Sequence, residues 1–188
     1  MLLNRMPANI AEVVIRPIRG ADAAGLQFFI RHLSLASRYS RFMMAIRELP
    51  ADMLDKFVHP LRGRDAAMIG SSPSAGIVGL AQYVADETGD GCEVAIVVDD
   101  AFHRLGLGTS LLTALMAVAG ENGVRHVHAD VLADNRAMLA LARKLGCDVR
   151  TNMQAPTLAQ ITRTLELPRV AYAGQRASPN VAAWHAHS

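Results

Sequence analysis

The sequence predicts an α/β (α+β) domain: a mixed, mostly antiparallel sheet of six to seven strands flanked by helices. Three observations predict it. Three short apolar runs between residues 65 and 98, bounded by Ser, Pro, Gly and Asp, follow one another as consecutive antiparallel strands do. Two helix-periodic segments then alternate with strand-like runs. Finally, 188 residues, 51% hydrophobic and 19% charged, suffice for one good core and leave little for a second.

The elements follow in order. "VVIRPI" (13 to 18) reads as a first strand, after which Asp22 is placed to cap a helix running to about Leu35. "SRYSRFMMAIRELPADMLDKFV" is a helical segment interrupted at Pro50, with Asp52 near the start of a further helix that ends before His59-Pro60. This stretch is expected to form a lid or groove wall. "DAAMIGS", "AGIVGLAQYVA" and "GCEVAIVV" are the three consecutive strands. A helix from Gly106 to about Asn122, a strand "RHVHADVL" and a helix from Asn135 to Leu145 come next, the last closed by Gly146 where positive φ is wanted. "AQITRTLEL" is the final strand. Residues 1–167 are therefore expected to form one domain. The segment 168–188, "PRVAYAGQRASPNVAAWHAHS", has small and polar residues without periodicity and is expected to be a flexible tail.

Composition narrows the partners. A net charge of +2 without a basic stripe argues against nucleic acid. No apolar stretch reaches the length of a membrane span, and the start lacks a basic region followed by an apolar stretch and a cleavage site, so a cytoplasmic chain is expected. Cys92 and Cys147 lack CxxC spacing and read as buried spectators. His126 and His128 alternate along one strand face, and His185 and His187 repeat the spacing in the tail, but no third ligand is placed near either pair. No metal is expected. The methionines Met43, Met44, Met53, Met116 and Met138 read as core or groove fillers.

The stretch "DDAFHRLGLGTSLL" (99 to 112) carries the chemistry. A dinucleotide fingerprint needs Gly or Ala three residues after its second glycine, directly behind a strand; here Leu111 stands at that position and seven residues separate the strand from Gly106. A Walker loop needs Gly-Lys-Ser/Thr, and no lysine lies between Lys56 and Lys144. What remains is a run of amides entering a helix amino terminus, which suits a pyrophosphate through unpaired N–H donors and the helix dipole. A tight turn that happens to use glycine is the alternative.

The flanks favour a ligand. "VDDAFHRLGLG", from Val98, resembles the acyl-CoA signature of the GNAT superfamily of N-acetyltransferases: Val or Ile ending a strand, four residues, Gln or Arg, two residues, then Gly-x-Gly/Ala. His103 departs from the pattern, standing where Gln or Arg is usual. "NRAMLALARKLGC" (135 to 147) resembles the family's Asn-led helix at the family spacing. "SLASRYSRFMMAIRELPADML" extends the resemblance to the protein lysine acetyltransferase (Pat-type) domains, over about residues 13 to 150.

The resemblance implies a sheet with a V-shaped split between its fourth and fifth strands, and acetyl-CoA as co-substrate. It implies that free amides near Val97 and Val98 face the pantetheine and thioester. It also implies that residues His103, Arg104, Leu105, Gly106, Leu107, Gly108 and Thr109 hold the pyrophosphate, with Asn135 at the mouth of the split. Asn135 is equally a helix N-cap, and both roles are compatible.

Acyl transfer to an amine needs a neutral nucleophile and a route for the proton. Glu93 interrupts the apolar strand "CEVAIVV" on one face with Ala95 and Val97, and it matches the subgroup's catalytic glutamate. Many relatives carry a tyrosine acid seven residues after the motif asparagine; here that position is Ala142. Tyr39 and Tyr83 are the substitutes on offer, and no acid is assigned. Arg38, Arg41 and Arg47 are candidates for meeting an acidic surface around a target lysine, or are simply a solvated helix face. Three functions follow: transfer of acetyl to a protein lysine, transfer to a small amine, or non-catalytic acyl-CoA sensing. Retention of Glu93 beside a small residue favours the enzymes.

Overall fold

The computed structural model describes residues 9–166. The tail from 168 onward, with His185 and His187, lies outside them.

One sheet of seven strands organises the described residues, in the order β1-β2-β3-β4-β5-β7-β6. The strands are β1 (Val14–Pro17), β2 (Ala66–Ser72), β3 (Gly76–Ala85), β4 (Gly91–Val98), β5 (His126–Leu132), β6 (Asp148–Thr151) and β7 (Leu158–Thr164). Every pairing is antiparallel except β4 with β5. That parallel pair is where a helical crossover is required, since a hairpin cannot join parallel strands.

The helices are α1 (Ala23–His32), α2 (Leu35–Phe42), α3 (Ala51–Val58), α4 (Leu107–Glu121) and α5 (Arg136–Lys144). Strand alternation sorts the core onto two sides. Cys92, Val94, Ala81 and Tyr83 pack with Leu107, Leu111 and Leu115 of α4, and this core continues through Ala129, Val131 and Ile161 to Leu139 and Ala142 of α5. On the other side Ala67, Ile69, Leu80 and Val97 meet Leu26, Phe29 and Ile30 of α1 and Phe57 and Val58 of α3.

Four local features differ from the sequence reading. Asp22 precedes α1 but makes no side-chain cap. Its carboxylate instead takes a two-pronged bond from Arg16 (2.8 and 2.7 Å) and one from the Arg19 amide (2.8 Å), because a guanidinium fork outcompetes a lone amide. The helix also stops at His32, where Ser34 caps the next by accepting from Ser37 N. Further on, α2 ends at Met43, which turns left-handed (φ 52°), not at Pro50; Pro50 opens α3. The irregular stretch between them is pinned by Gln27, whose amide both donates to Leu49 O (2.8 Å) and accepts from Leu49 N (2.9 Å). The short strand β6 had no apolar run to announce it, since Val149 is the one large hydrophobe in "DVRT".

Candidate active site

The site begins with a pairing failure. β4 and β5 are in register at Gly91↔His126, Cys92↔Val127 and Glu93↔His128, and no further. Beyond Glu93 the strands diverge, and a cavity of about 1270 Å³ opens between them. The backbone of β4 explains what lines it. Asp99 N donates to Val78 O (2.9 Å) in the register that pairs Val97 with Leu80, so odd-numbered residues of β4 turn their polar groups toward β3. Even-numbered residues turn theirs toward β5, and those of Ile96 and Val98, beyond the last pair, face the split. The amide at the strand end that faces the split is therefore that of Val98; the Val97 amide belongs to the ladder with β3, and its side chain to the core.

At the open end of the split the chain makes its glycine turn. Gly106 precedes α4 with φ 91°, a conformation that disfavours side chains, and a Cβ placed there would meet only open space. Gly108 is needed for another reason: a Cβ there would lie 3.1 Å from Leu141 of α5. One glycine sets the turn and the other lets two helices close up. Among the described residues, the amides of residues 104 to 109 have no acceptor, and Ser110 N is the first to find one, at Gly106 O (3.1 Å). Arg104 also adopts positive φ (62°), so successive amides are turned outward as an anion-binding nest requires. Leu107 contributes backbone alone, its side chain being buried in the core.

His103 is placed at the same corner. Its Nε2 lies 3.0 Å from Val98 O, so the imidazole satisfies the carbonyl that the split leaves unpaired. Asn135 lines the cavity and also caps α5, accepting from Met138 N (3.1 Å); the two placements coexist.

Glu93 sits exposed at the closed end of the split, on the face it shares with Ala95 and, across the ladder, with Gln82 and Val84. Arg41 reaches this face from α2. Its Nη2 donates to Gln82 Oε1 (2.9 Å), and its guanidinium lies over the rings of Phe42 (4.9 Å) and Phe57 (5.5 Å). Burial lowers Arg41 from 12.5 to about 10, and the charge of Glu93 opposes that shift. Arg38 is committed as well, donating to Ile30 O (3.3 Å) and Arg31 O (2.8 Å) at the end of α1. Of the three arginines considered for an acidic partner, only Arg47 stands exposed.

Asp100 ties the wall to the cradle. Its carboxylate accepts from Ser34 N (3.2 Å), Ser34 Oγ (3.0 Å) and Ser37 Oγ (2.8 Å), joining the start of α2 to the turn that follows β4. Burial raises its pKa, but the bonds from Ser37 and Ser34 together outweigh burial and leave it below the ordinary value. Sequence reasoning missed Gln82, Asp100 and Ser37. Only the lone Gln inside "AGIVGLAQYVA" carried a signal, as a polar break in an apolar strand.

Neither tyrosine reaches the chemistry. Tyr83 is fully buried on the α4 side, accepting from Asn122 Nδ2 (2.6 Å), and burial raises its pKa. Tyr39 points to a separate groove lined by Leu35, Met44 and Arg47. Cys92 is buried and its thiol is pushed up to about 12 by burial, so it is no nucleophile. Among the described residues no cluster could hold a metal ion, and no helix is long and apolar enough to cross a membrane.

Comparison with known proteins gives a consistent result. Residues 45–147 match the model of the acetyltransferase (GNAT) family. The chain is 34% identical over 138 residues to acetyltransferase PA5475 of Pseudomonas aeruginosa, covering 72% of this chain and 74% of that one. Among solved structures, the GNAT domain of PAT from S. lividans superposes with TM-score 0.75 at 25% identity, over 81% of this chain and 90% of that one. The phosphinothricin acetyltransferase from Sinorhizobium meliloti, solved in complex with AcCoA, gives 0.68 at 18% identity, over 86% and 96%, a likeness of fold.

Proposed function

This chain belongs to the acetyltransferase (GNAT) family, and from that premise we propose that it transfers the acetyl group of acetyl-CoA to a primary amine, a protein lysine first, with Glu93 as general base. The observation that carries the reading is the split itself: free strand edge, free helix amides and a carboxylate lie along one continuous cavity.

The residues present fit acetyl-CoA. The backbone groups of Ile96 and the amide of Val98 are those of a strand edge waiting for a partner, which an amide-bearing pantetheine arm supplies as an added strand does. The amides of residues 104 to 109 suit the pyrophosphate, with Asn135 beside the arm. When bound, the thioester supplies an acyl carbon open to attack.

The chain's own residues then handle the proton. A lysine amine with ordinary pKa near 10.4 is protonated at pH 7, and neutralising it costs about 4.6 kcal/mol. Glu93, open to the cavity and unbonded among the described residues, accepts that proton. Arg41, held by Gln82, sets a cation on the same face of the sheet as the carboxylate. Water suffices to protonate the departing thiolate, whose parent thiol has an ordinary pKa near 8.5.

A small amine is the second reading. The apolar cavity wall of Phe42, Met43, Met44 and Met53 suits a compact apolar acceptor. Acetyl-CoA turnover against a panel of proteins and amines tests both. Protein acetylation faster than that of any small amine supports the first reading, and the reverse order replaces it with the second.

A further inference from the structure

We propose that His128, oriented by Asp86, receives the proton from Glu93 and releases it to solvent, so that the base is reset after each transfer. The inference rests on the reading of Glu93 as base.

Glu93 and His128 are the last in-register pair before the split, and paired residues of parallel strands project on one face with backbones about 4.8 Å apart. His128 is also tied down. Its Nε2 lies 3.0 Å from Asp86 Oδ1, at the end of β3. An ionised carboxylate accepts, so Nε2 carries the hydrogen and Nδ1 keeps its lone pair, without a partner among the described residues. A histidine fixed in one tautomer by a carboxylate, beside a second carboxylate that must shed a proton, has the parts of a relay.

Asp86 faces the imidazolium that would form. His126 and Asp130 flank His128 on β5, Thr162 opposite it on β7 is uncharged, and Arg150 and Asp148 lie farther out on β6. Arg64 holds the Asp86 carbonyl (3.2 Å) and Asp65 accepts from Ala85 N (3.1 Å), fixing the turn that presents Asp86. His128 is 39% exposed at its side chain, so one end of the relay meets water.

The proton count closes. The ammonium N–H bond breaks as a proton joins Glu93. The Glu93 O–H bond then breaks as a water between the two side chains passes a proton on to Nδ1 of neutral His128, and the imidazolium gives the proton to bulk water. No electron changes hands. His128 acts through Glu93 and is a positioning residue.

The test uses the full chain with saturating acetyl-CoA and acceptor. His128→Gln is expected to lower kcat about tenfold with both KM values and the melting temperature unchanged, and free imidazole should restore much of the loss while leaving the parent unaffected. Asp86→Asn should lower kcat in the same direction. In Glu93→Gln, adding His128→Gln should cost nothing more, because the proton no longer passes that way. Parent-like kcat in His128→Gln, loss without imidazole rescue, or a full additional loss on top of Glu93→Gln overturns the relay. Glu93→Gln alone reports separately on the base: parent-like kcat there overturns that reading, and the relay with it.

Discussion

Glu93 is a carboxylate in an apolar strand, with room beside it at Ala95 and a buried cation beneath it at Arg41. If it takes the amine proton, Glu93→Gln should lower kcat by a factor on the order of 10² to 10⁴ while acetyl-CoA affinity stays at the parent value. Stopped-flow or steady-state kinetics with a calorimetric Kd checks both halves. The amides proposed to bind the pyrophosphate lie past the far end of β4, so the two quantities should separate. Arg41 makes a different prediction. Its guanidinium fills the space between Gln82 and two aromatic rings, so Arg41→Ala should both destabilise the fold, through lost packing, and raise the acceptor KM.

At the scale of elements, the entry to α4 and the hinge at Asp100 matter most. Gly106 is held at φ 91°, so Gly106→Val costs backbone strain of about 1–2 kcal/mol and places a side chain above the free amides. Gly108→Val instead forces Leu141 aside, α4 and α5 being too close for it. Both variants should stay folded by circular dichroism and lose stabilisation by CoA. Asp100→Ala frees Ser34 and Ser37 together. It should cost about 1 kcal/mol and raise the KM for acetyl-CoA more than it lowers kcat, because α2 and the cradle lose their common anchor.

For the whole molecule, CoA at a hundredfold above its dissociation constant should stabilise the fold by about 2.7 kcal/mol, with NAD and ATP giving much less. A thermal-shift titration measures it, and equal stabilisation by NAD would count against the assigned ligand. Acid stability should depend on Asp22, which joins the first strand to the first helix. Its pKa is lowered from 3.8, chiefly by the hydrogen bonds from Arg16 with burial opposing. A depressed carboxylate contributes stability that is fully present above its unfolded pKa and is lost as pH falls through the lower, folded value. Asp22→Asn should therefore be less stable than the parent by about 1 kcal/mol at pH 7, and the two should converge in urea melts as pH falls below the lowered, folded-state pKa.

The sequence by itself determined most of the elements and the glycine turn proposed to hold the cofactor. Apolar runs of strand length, the helix signals at Asn135 and Gly146, and the spacing from Val98 through Gly106 to Gly108 are local properties, written in consecutive residues, and the structure bears out the strands and helices they announce. Glu93 was legible for the same reason, as a charge out of pattern in one strand. What only the tertiary structure decided depends on which strands stop pairing and which distant side chains meet. Val98, not Val97, turns its amide to the split because of the register with β3. Tyr83 is buried away from the cavity because its strand position faces α4. Arg41 and Arg38 look like a solvated basic face, yet one reaches across to Gln82 and the other back to α1. His128 stands beside Glu93 only because a parallel crossover of 15 helical residues brings β5 alongside β4. Backbone conformation is set by near neighbours along the chain, whereas hydrogen-bond partners and buried charges are set by long-range packing, which no single stretch of residues encodes.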